Sequence, residues 1–556
     1  MTVADDLVTR HRETLEGALS AIRDRGYWSA YPESPRAYGE EGEATGRAAF
    51  DAYRSRTFPL EQPGTDGTVS TERSPYGIDL GVSYPHVTAE TVDALMAAAQ
   101  AGMTAWRDAG PDVRVGVCLE ILARLNARSH EVAQAVMHTS GQAYAMAFQA
   151  GAPHAQDRAL EAIAYAYAEM TRHPREATWE KPQGKRDPVR MVKRFTVVPR
   201  GVALVIGCNT FPTWNSYPGL FASLVTGNAV IVKPHPRAVL PLAITVAVAR
   251  EVLAEAGFSP DLVLLAAEDA GEGVASVLAT RPEVRIIDYT GSSEYGRWLE
   301  DNARQAQVYT EKSGVNVVVV DSTDDYRGML SNIAFSLSLY SGQMCTTPQN
   351  ILVPRDGIEA DGAPIEVDRF ANDLADAVNG LLGDERRATA VLGGIVNDDV
   401  QARIDAAPSL GDVVLESRSI VHPDFPNAVV RTPTIVRVDA ASDVHQSERF
   451  GPVAFLVTTD DTAASIEMLR TSVREHGGIT AAVYSTDDKV LHAAEEAALD
   501  SGVALSCNLT QGVYVNQSAA FSDFHATGAN PAANAALTDA AFVANRFRVV
   551  QSRHHI

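Results

Sequence analysis

Cys345 lies in a polar turn, SGQMCTTPQN, directly after an apolar stretch of helical spacing at 333–340. A cysteine that serves only in packing normally has apolar neighbours. Here a Gly-Gln pair stands just before the residue and two threonines follow it. A nucleophilic cysteine needs a nearby base or electropositive surroundings that supply the thiolate. Cys345 is therefore a candidate nucleophile, with structural packing as the alternative.

Two polar residues could serve such a nucleophile. Glu311, in VYTEKSG, ends a strand-like run shortly before Gly314, and it is a candidate base or else a solvated loop charge. Asn209, in VIGCNTFP, follows another strand-like run. Open α/β folds bind ligands at the carboxyl ends of their strands, and an amide placed there could donate to an oxyanion. The alternative for Asn209 is an ordinary turn asparagine.

A glycine-containing turn could contact the phosphates of a cofactor. Gly291, Ser292 and Gly296 lie in TGSSEYG, directly after the apolar run VRIIDY. The spacing is G-x-x-x-x-G instead of G-x-G-x-x-G, so it matches the dinucleotide fingerprint only weakly. Helix N-terminal amides after such a turn would suit a pyrophosphate. Lys233 follows the run AVIV, where its ammonium could bond ribose hydroxyls.

These residues must be positioned by a sheet, and the sequence predicts one. From Gly201 onwards, VALVIG, NAVIVK, DLVLLAA and VRIIDYTG predict strands, and the stretches near 216–226, 238–256 and 271–280 predict helices. Such alternation indicates an α/β fold with a parallel, doubly wound sheet. A second series begins with VNVVVVD at Val315 and continues past residue 500. Thr178–Arg200 mixes charged and apolar residues around a turn, which predicts a β-hairpin.

Composition narrows the possible functions. A chain of 556 residues predicts two to four domains, and its net charge of −23 argues against nucleic-acid binding. The four cysteines form no C-x-x-C pair, so neither a metal site nor a dithiol motif is indicated. The N-terminus MTVADDLVTR lacks the features of a signal peptide, and the longest apolar stretch, 238–249, is too short to cross a bilayer. We therefore expect a cytoplasmic protein.

Taken in order along the chain, the motifs resemble the aldehyde dehydrogenase superfamily. The residues that carry the resemblance are Asn209, Gly227–Asn228, Lys233–Pro234, Gly291–Ser292, Glu311, Cys345, and Glu448 with Phe450, Gly451 and Pro452. Glu311 precedes Cys345 by 34 residues and Asn209 precedes Asn228 by 19, as in the family pattern. The resemblance covers about residues 80–556.

More narrowly, the chain resembles the phenylacetate-degradation aldehyde dehydrogenases (PaaN type). This likeness rests on Thr-Phe-Pro-Thr-Trp-Asn after Asn209, on KPHPRA, and on VYVNQSAAFSDFHATGANPAANAAL near the C-terminus. Longer relatives carry a fused hydratase domain after the dehydrogenase, which we do not expect within these 556 residues, so the resemblance implies a separate hydratase partner. The family's usual Gly-Gly-x-Lys-x-Ser-Gly tail is replaced by FSDFHATGAN, so the aldehyde pocket cannot be copied from typical members.

The resemblance implies roles for the residues. The Cys345 thiolate would attack the aldehyde, the Asn209 amide and the Cys345 backbone N–H would hold the oxyanion, and Glu311 would activate the water that hydrolyses the thioester. Glu448 would hold the nicotinamide ribose, with Phe450 beside the ring, and Lys233 would bond the other ribose. The implied substrate is a coenzyme A-linked semialdehyde from phenylacetate ring cleavage, and the product is the free acid.

The cofactor is expected to be NAD(P)+. Many NAD-specific relatives carry an acid shortly after the lysine, whereas this chain has Pro236 and then Arg237. Loss of a carboxylate removes repulsion toward a 2′-phosphate, and an arginine could pair with it. We therefore expect NADP+ to be accepted and slightly preferred, with Ser292 near a cofactor phosphate.

The resemblance also implies a domain plan. It divides the chain into an N-terminal extension, a cofactor domain, a catalytic domain and a small β oligomerisation element: 1–75, then 76–178 with 200–311, then 312–520, and finally 179–199 with 541–556. The oligomerisation element would join the hairpin to a C-terminal strand predicted over 541–552. Because an isolated two-stranded ribbon is marginal in water, we expect a homodimer or homotetramer.

Three alternatives stay open on the sequence alone. The first is a dehydrogenase that transfers the acyl group to coenzyme A, although Glu311 favours hydrolysis. The second is an inactive member that assembles with a phenylacetate-pathway enzyme. The third is a cofactor-independent cysteine hydrolase, which would leave the 290–296 turn without a role.

Overall fold

The computed structural model describes residues 3–556, so residues 1 and 2 of the predicted extension lie outside the described range. Helices dominate as far as residue 170, together with one short antiparallel strand pair. In chain order these elements are α1 (Val3–Arg10), α2 (Arg12–Asp24), α3 (Gly42–Asp51), β1 (Thr68–Val69), β2 (Tyr84–Pro85), α4 (Val92–Ala101), α5 (Met103–Asp108), α6 (Gly110–Ala127), α7 (Ser129–Ser140), α8 (Tyr144–Gln149) and α9 (Ala155–Met170). A π-helical turn, Ala150–His154, joins α8 to α9.

A hairpin and a parallel sheet follow. Their elements are β3 (Glu176–Gln183), β4 (Arg186–Pro199), β5 (Val202–Ile206), α10 (Pro212–Val225), β6 (Ala229–Lys233), α11 (Leu240–Glu255), β7 (Val263–Leu265), α12 (Val274–Ala279), β8 (Val284–Thr290), α13 (Ser293–Asn302) and β9 (Gln307–Glu311). The sheet has the order β7-β6-β5-β8-β9, and all its strands are parallel. Strands β5 and β6 are buried along their whole length, as expected where helices cover both faces of a sheet.

A second sheet is built from the later part of the chain. Its region contains β10 (Val317–Val320), β11 (Ser322–Thr323), α14 (Tyr326–Ser338), β12 (Asn350–Pro354), β13 (Ile358–Ala360), β14 (Ala363–Ile365), α15 (Val367–Leu381), α16 (Glu385–Val391), α17 (Asp398–Ala406), β15 (Asp412–Leu415), β16 (Ser419–Ile420), β17 (Val430–Arg431), β18 (Thr434–Asp439), β19 (Val453–Thr459), α18 (Thr462–His476), β20 (Thr480–Tyr484), α19 (Asp488–Ser501) and β21 (Ala504–Cys507). The seven-stranded order is β15-β18-β19-β12-β10-β20-β21, and only β15 pairs antiparallel. The predicted α/β class with two sheets is confirmed.

The C-terminus differs from the predicted strand over 541–552. Residues Ala540–Ala544 form a short helix, α20, and the strand β22 spans Phe547–His555. The helix forms because the Asp539 carboxylate accepts from the Phe542 N–H (2.7 Å) and the side chains of Phe542 and Val543 are buried. Strand β22 then pairs antiparallel with β4, which gives a three-stranded ribbon of order β22-β4-β3.

Arg546 fixes the approach of that last strand. Its guanidinium is fully buried and forms a two-pronged ion pair with Asp288 on β8, at 2.6 and 2.7 Å. Such bidentate pairs give geometric specificity, so the ribbon is anchored to the parallel sheet. None of the described helices is long and apolar enough to cross a membrane.

Candidate active site

Cys345 sits in a turn whose backbone is held by the surrounding strands. The Asn316 amide donates to the carbonyls of Cys345 (2.8 Å) and Thr347 (2.9 Å), and its own oxygen accepts from the N–H groups of Ile479 and Thr480. One side chain therefore ties the turn to the start of β20. The predicted polar turn is confirmed.

The approach to this turn is conformationally unusual. Tyr340, Ser341 and Gly342 all have positive φ values, of 54, 51 and 64°. Such a backbone is costly for residues other than glycine and persists only when the surroundings hold it. Here the Ser341 hydroxyl bonds the carbonyls of Gly393 and Arg431, while a Cβ at Gly342 would lie 2.6 Å from the Gly451 oxygen. These contacts hold the turn that leads into Cys345.

Glu311 is the last residue of β9 and lies at the same edge. Its backbone oxygen accepts from the Gly291 N–H (3.0 Å), so the predicted base and the predicted phosphate turn are neighbours. Its side chain is 5 % exposed, which excludes the alternative of a solvated loop charge.

His525 joins the acid to the cysteine. Its Nε2 lies 3.2 Å from Glu311 Oε2 and 3.8 Å from Cys345 Sγ. The thiol, the imidazole and the carboxylate all lie within 4.8 Å of one another, a spacing that could also hold a metal ion. The sequence indicated no such cluster because His525 stands 180 residues after Cys345. The available signal was the departure of FSDFHATGAN from the family tail.

Burial and neighbouring groups shift the pKa values of Cys345 and Glu311 in opposite directions. Burial raises the pKa of the Cys345 thiol well above its ordinary value, and the carboxylate of Glu311 raises it further. Burial also opposes ionisation of Glu311, but the nearby His525 and hydrogen bonds from His525, Cys345 and Asn215 outweigh it, so the pKa of Glu311 is lowered. At neutral pH the carboxylate is therefore ionised and the thiol is largely protonated.

Asn209 follows β5 as predicted, and it is 9 % exposed. Its amide donates to the Thr139 carbonyl (3.1 Å), while its side-chain oxygen has no partner among residues 3–556. Asn215, six residues later, donates to Glu311 Oε2 at 3.2 Å and lines the cavity of Cys345. The sequence analysis did not single out Asn215, although it ends the Thr-Phe-Pro-Thr-Trp-Asn motif.

The predicted phosphate turn leads into a helix of ten residues, α13. Ser292 is its N-cap, because the Ser292 hydroxyl oxygen accepts from the Tyr295 N–H at 3.3 Å. Gly296 lies in the first turn, where a Cβ would meet the Lys312 side chain at 2.7 Å. The turn therefore presents a helix N-terminus at the strand ends, which suits an anionic phosphate.

Lys233, at the end of β6, has a carboxylate partner that the sequence analysis missed. Its ammonium forms a buried ion pair with Glu268, and the other Glu268 oxygen accepts from the Val274 N–H (2.7 Å) at the start of α12. Pro236 is half-buried, and its carbonyl accepts a hydrogen bond from the Thr71 hydroxyl. Glu268 stands three residues after the strand β7, a position that an acid search along the strand ends would have found.

Glu448 and Phe450 line a small recess together with Gly314 and Met344, the neighbour of Cys345. Burial raises the pKa of Glu448. With the lysine–carboxylate pair and the helix N-terminus, this donor set fits a dinucleotide, since ribose hydroxyls and a pyrophosphate are the groups that such side chains and amides bind.

A cavity of about 580 Å³ has a lining whose chemistry differs from that of the candidate cofactor groups. Cys345 and His525 line it together with aromatic side chains from distant parts of the chain: Trp28, Phe211, Trp214, Phe335 and Tyr514. Cys345 also packs against a small apolar cluster that includes Ile479 and Ala526, but the residue itself is half-buried and faces the cavity. Packing alone therefore does not explain its position.

Comparison with known proteins decides the family. The family model described as "Aldehyde dehydrogenase family" matches residues 64–535. The chain belongs to the aldehyde dehydrogenase family. The match excludes residues 1–63, so the first helices and Trp28 of this aldehyde dehydrogenase lie outside the family pattern.

Individual relatives agree. A vanillin dehydrogenase of Pseudomonas fluorescens is 26 % identical over 438 residues, which cover 76 % of this chain and 83 % of that protein. A benzaldehyde dehydrogenase [NAD(+)] of Pseudomonas putida is 26 % identical over 71 % of this chain and 76 % of its own. The crystal structure of an NAD-dependent aldehyde dehydrogenase from Burkholderia multivorans has a TM-score of 0.97 and 58 % identity, and each chain is fully covered. The predicted aldehyde dehydrogenase fold and enzyme class are confirmed.

Proposed function

We propose that the protein oxidises an aldehyde to the carboxylic acid, with Cys345 as nucleophile and a nicotinamide cofactor as hydride acceptor. The observation that carries this proposal is the convergence of the Cys345 thiol with Glu311 and His525 within 4.8 Å. This cluster joins an aromatic cavity to the strand ends that carry the candidate cofactor groups. Family membership supplies the reaction class.

The residues would divide the reaction between them. The Cys345 thiolate attacks the aldehyde carbon, and the carbonyl oxygen becomes an oxyanion that the Asn209 amide and the Cys345 backbone N–H stabilise. Removal of one such donor costs about 3–4 kcal/mol in comparable sites. The bound nicotinamide supplies the hydride acceptor, so that a thioester on Cys345 remains.

Glu311 completes the turnover. Its lowered pKa keeps it ionised at neutral pH, so it can take a proton from the water that attacks the thioester, as a general base. The acid then leaves and the thiol is regenerated. A dehydrogenase that transfers the acyl group to coenzyme A needs no such base, so Glu311 favours hydrolysis. Product analysis with and without free coenzyme A separates the two outcomes.

For the cofactor, we propose NAD+ as the preferred form. The sequence favoured NADP+ because Pro236 and Arg237 replace an acid after Lys233. Glu268 supplies a carboxylate beside Lys233 from the next strand, and such a carboxylate repels a 2′-phosphate. The name of the structural relative from Burkholderia multivorans, an NAD-dependent enzyme, also supports this choice.

For the substrate, we propose an aldehyde with a large carbon body. The cavity has a volume of about 580 Å³ and an aromatic lining. Sites of this volume and chemistry bind ligands much larger than a short aliphatic aldehyde. A coenzyme A-linked semialdehyde from phenylacetate ring cleavage remains our prediction from the PaaN-type motifs. The test compares kcat/KM for the coenzyme A-linked semialdehyde with kcat/KM for benzaldehyde, since aromatic aldehydes are named for the relatives.

We further propose that the β22-β4-β3 ribbon is the oligomerisation element and that the remaining domain boundaries follow the division predicted above. Val549 and Val550 on β22 are 42 and 54 % exposed, and both outer strands of the ribbon leave an open edge, which favours pairing with another subunit. Light scattering of the intact protein, compared with a variant carrying V550K, would test this assignment.

The decisive test of the activity uses two cysteine variants. C345A should lower nicotinamide reduction with an aldehyde panel by at least about 10⁴-fold, as expected on loss of a covalent nucleophile, while NAD+ still binds. C507A provides the matched control, because Cys507 is half-buried at the end of β21. Unchanged turnover in C345A would refute the proposed function.

A further inference from the structure

His525 contacts the reacting sulfur, yet neither the family motifs nor the proposed mechanism assigns it a role. We propose that His525 is a further catalytic residue that shares its Nε2 proton between Glu311 and Cys345 and thereby stabilises the Cys345 thiolate. Its significance for catalysis rests on the proposed function, whereas its effect on the thiol does not.

The hydrogen-bond chemistry sets the tautomer. An ionised carboxylate can only accept hydrogen bonds, so the ring nitrogen that faces Glu311 Oε2 at 3.2 Å must carry a proton. The same nitrogen lies 3.8 Å from Cys345 Sγ, within the longer reach of hydrogen bonds to sulfur. Both acceptors can therefore share the one N–H as a bifurcated hydrogen bond, and the bond to sulfur strengthens when the sulfur becomes an anion, without movement of the ring.

The two oxygens of Glu311 have different surroundings. Oε2 accepts from both His525 Nε2 and Asn215 Nδ2, each at 3.2 Å. Oε1 is buried and has no partner among the residues that the structure describes. The arrangement leaves Oε1 as the oxygen that can take up a proton, while His525 and Asn215 hold the carboxylate in place.

His525 is itself fixed. Its backbone N–H and C=O both bond Leu537, at 3.0 and 2.8 Å, and the edge of its ring packs on Trp214 with centroids 4.7 Å apart. Only 3 % of the residue is exposed. In such a dry setting a donor interacts more strongly with a developing charge than it would in water.

The activation step conserves protons and charge. The Cys345 S–H bond breaks, an O–H bond forms at Glu311 Oε1, and the shared His525 Nε2–H strengthens its hydrogen bond to the sulfur anion. No electron leaves the cluster, and its net charge is unchanged. The proton on Glu311 passes to solvent before Glu311 serves as base for the hydrolytic water.

The other groups around the sulfur make this donor necessary. The charged or titratable groups Glu311, Cys208 and Glu448 each raise the pKa of the Cys345 thiol. The nearby cation Arg158 packs over the Trp214 ring, with its guanidinium carbon 5.4 Å from the ring centroid. His525 is thus the donor in direct contact with the sulfur that can offset the neighbouring negative charge.

The test is the rate at which iodoacetamide alkylates Cys345 between pH 6 and 10, with neither aldehyde nor cofactor present. Mass spectrometry of the Cys345 peptide separates this thiol from the other three. The variants are H525Q, which replaces the imidazole but keeps an amide N–H donor, and H525A, which removes the donor. H476Q is the control, since His476 is half-exposed and lies at the end of α18.

We expect the apparent thiol pKa to rise by about one unit in H525A, so that alkylation at pH 7.5 is about tenfold slower. H525Q should show a smaller rise, and H476Q should match the wild type. A profile in folded H525Q and H525A that coincides with the wild type would overturn the proposal. If H525A fails to fold, H525Q alone decides. If the alkylation profile shifts but no aldehyde is oxidised, the proposed function fails and the effect on the thiol stands.

Discussion

The two sides of Cys345 are built in different ways. On the cofactor side, β5, β6, β8 and β9 bring Lys233, the Gly291–Ser292 turn and Glu311 to one edge through regular backbone pairing. On the aldehyde side, helices contribute Trp214 and Phe335, but much of the remaining wall comes from the segment around Trp28 and from the tail that carries His525, neither of which lies in a strand. A scaffold shared across a family can thus hold one half of a site while irregular segments set the other.

A buried ionic network holds the irregular segments of the aldehyde side in place, whereas strand pairing holds the residues of the cofactor side. Glu161, fully buried on α9, accepts from Arg25 (3.1 Å), from Arg158 (2.9 Å) and from the Phe521 N–H (3.0 Å). Arg158 also donates to the carbonyls of Asp523 and Leu537. One helix therefore ties the N-terminal segment to the tail on either side of His525.

The largest expected effect falls at the junction of the two sides. E311Q should still give one full burst of reduced nicotinamide per site, because hydride transfer precedes hydrolysis of the thioester, although the burst should be slower since the thiol loses its proton acceptor. Steady turnover should then fall about 10³-fold, within the range for loss of a general base. Rapid-mixing absorbance at the wavelength of reduced nicotinamide measures both phases. Steady turnover close to that of the wild type would remove Glu311 from its assigned role.

A change in the ionic network should break the aldehyde side alone. E161Q leaves the buried Arg158 and the half-buried Arg25 guanidinium groups without their carboxylate, and loss of one partner of a buried ion pair typically destabilises a protein by about 3–5 kcal/mol. Urea unfolding measures this loss. E169Q is the matched control, because the Arg172–Glu169 pair lies at the exposed end of the same helix and is expected to contribute at most about 1 kcal/mol.

The same variant tests whether the two sides are separate. We expect folded E161Q to bind NAD+ with unchanged affinity while hydrogen exchange speeds up in the segments 25–33 and 518–537. If folded E161Q also lost affinity for NAD+, the ionic network would support both sides of Cys345, and the two sides would not be separate.

The limits of sequence reasoning follow the same contrast. The strands, Cys345 and Glu311 were predictable because alternating apolar runs set the register and parallel strand ends must meet at one edge. His525 and Glu268 were not, because their partners are remote: His525 contacts a residue 180 positions away, and Glu268 reaches Lys233 across neighbouring strands. The strand predicted from 541 failed at its first residues for a local reason, the helix cap supplied by Asp539.

The preference between NAD+ and NADP+ tests the cofactor side separately. E268Q removes the carboxylate beside Lys233 but keeps its shape, so repulsion toward a 2′-phosphate should fall. We expect the ratio of NADP+ to NAD+ affinity to rise about tenfold, which corresponds to about 1.4 kcal/mol. Calorimetric Kd values for the two cofactors measure the ratio without any aldehyde. E272Q serves as control, since Glu272 pairs with His86 near the surface. An unchanged ratio would leave the preference for NAD+ to other residues.

The smallest expected effect concerns the wall contributed by Trp28, which lies outside the family match. Trp28 packs edge-on against Phe521 with centroids 4.8 Å apart, and Ser29 and Ala30 next to it both donate to Asp157 on α9, at 2.6 and 3.1 Å. W28A should therefore enlarge the cavity while these two hydrogen bonds to Asp157 stay in place. For a bulky aromatic aldehyde we expect KM to rise about fivefold with kcat little changed, since one aromatic contact is worth about 0.5–1.5 kcal/mol. For acetaldehyde, which is too small to reach the wall, KM should not change. Equal shifts for both aldehydes would mean that Trp28 acts through the fold and that the N-terminal segment does not select substrates.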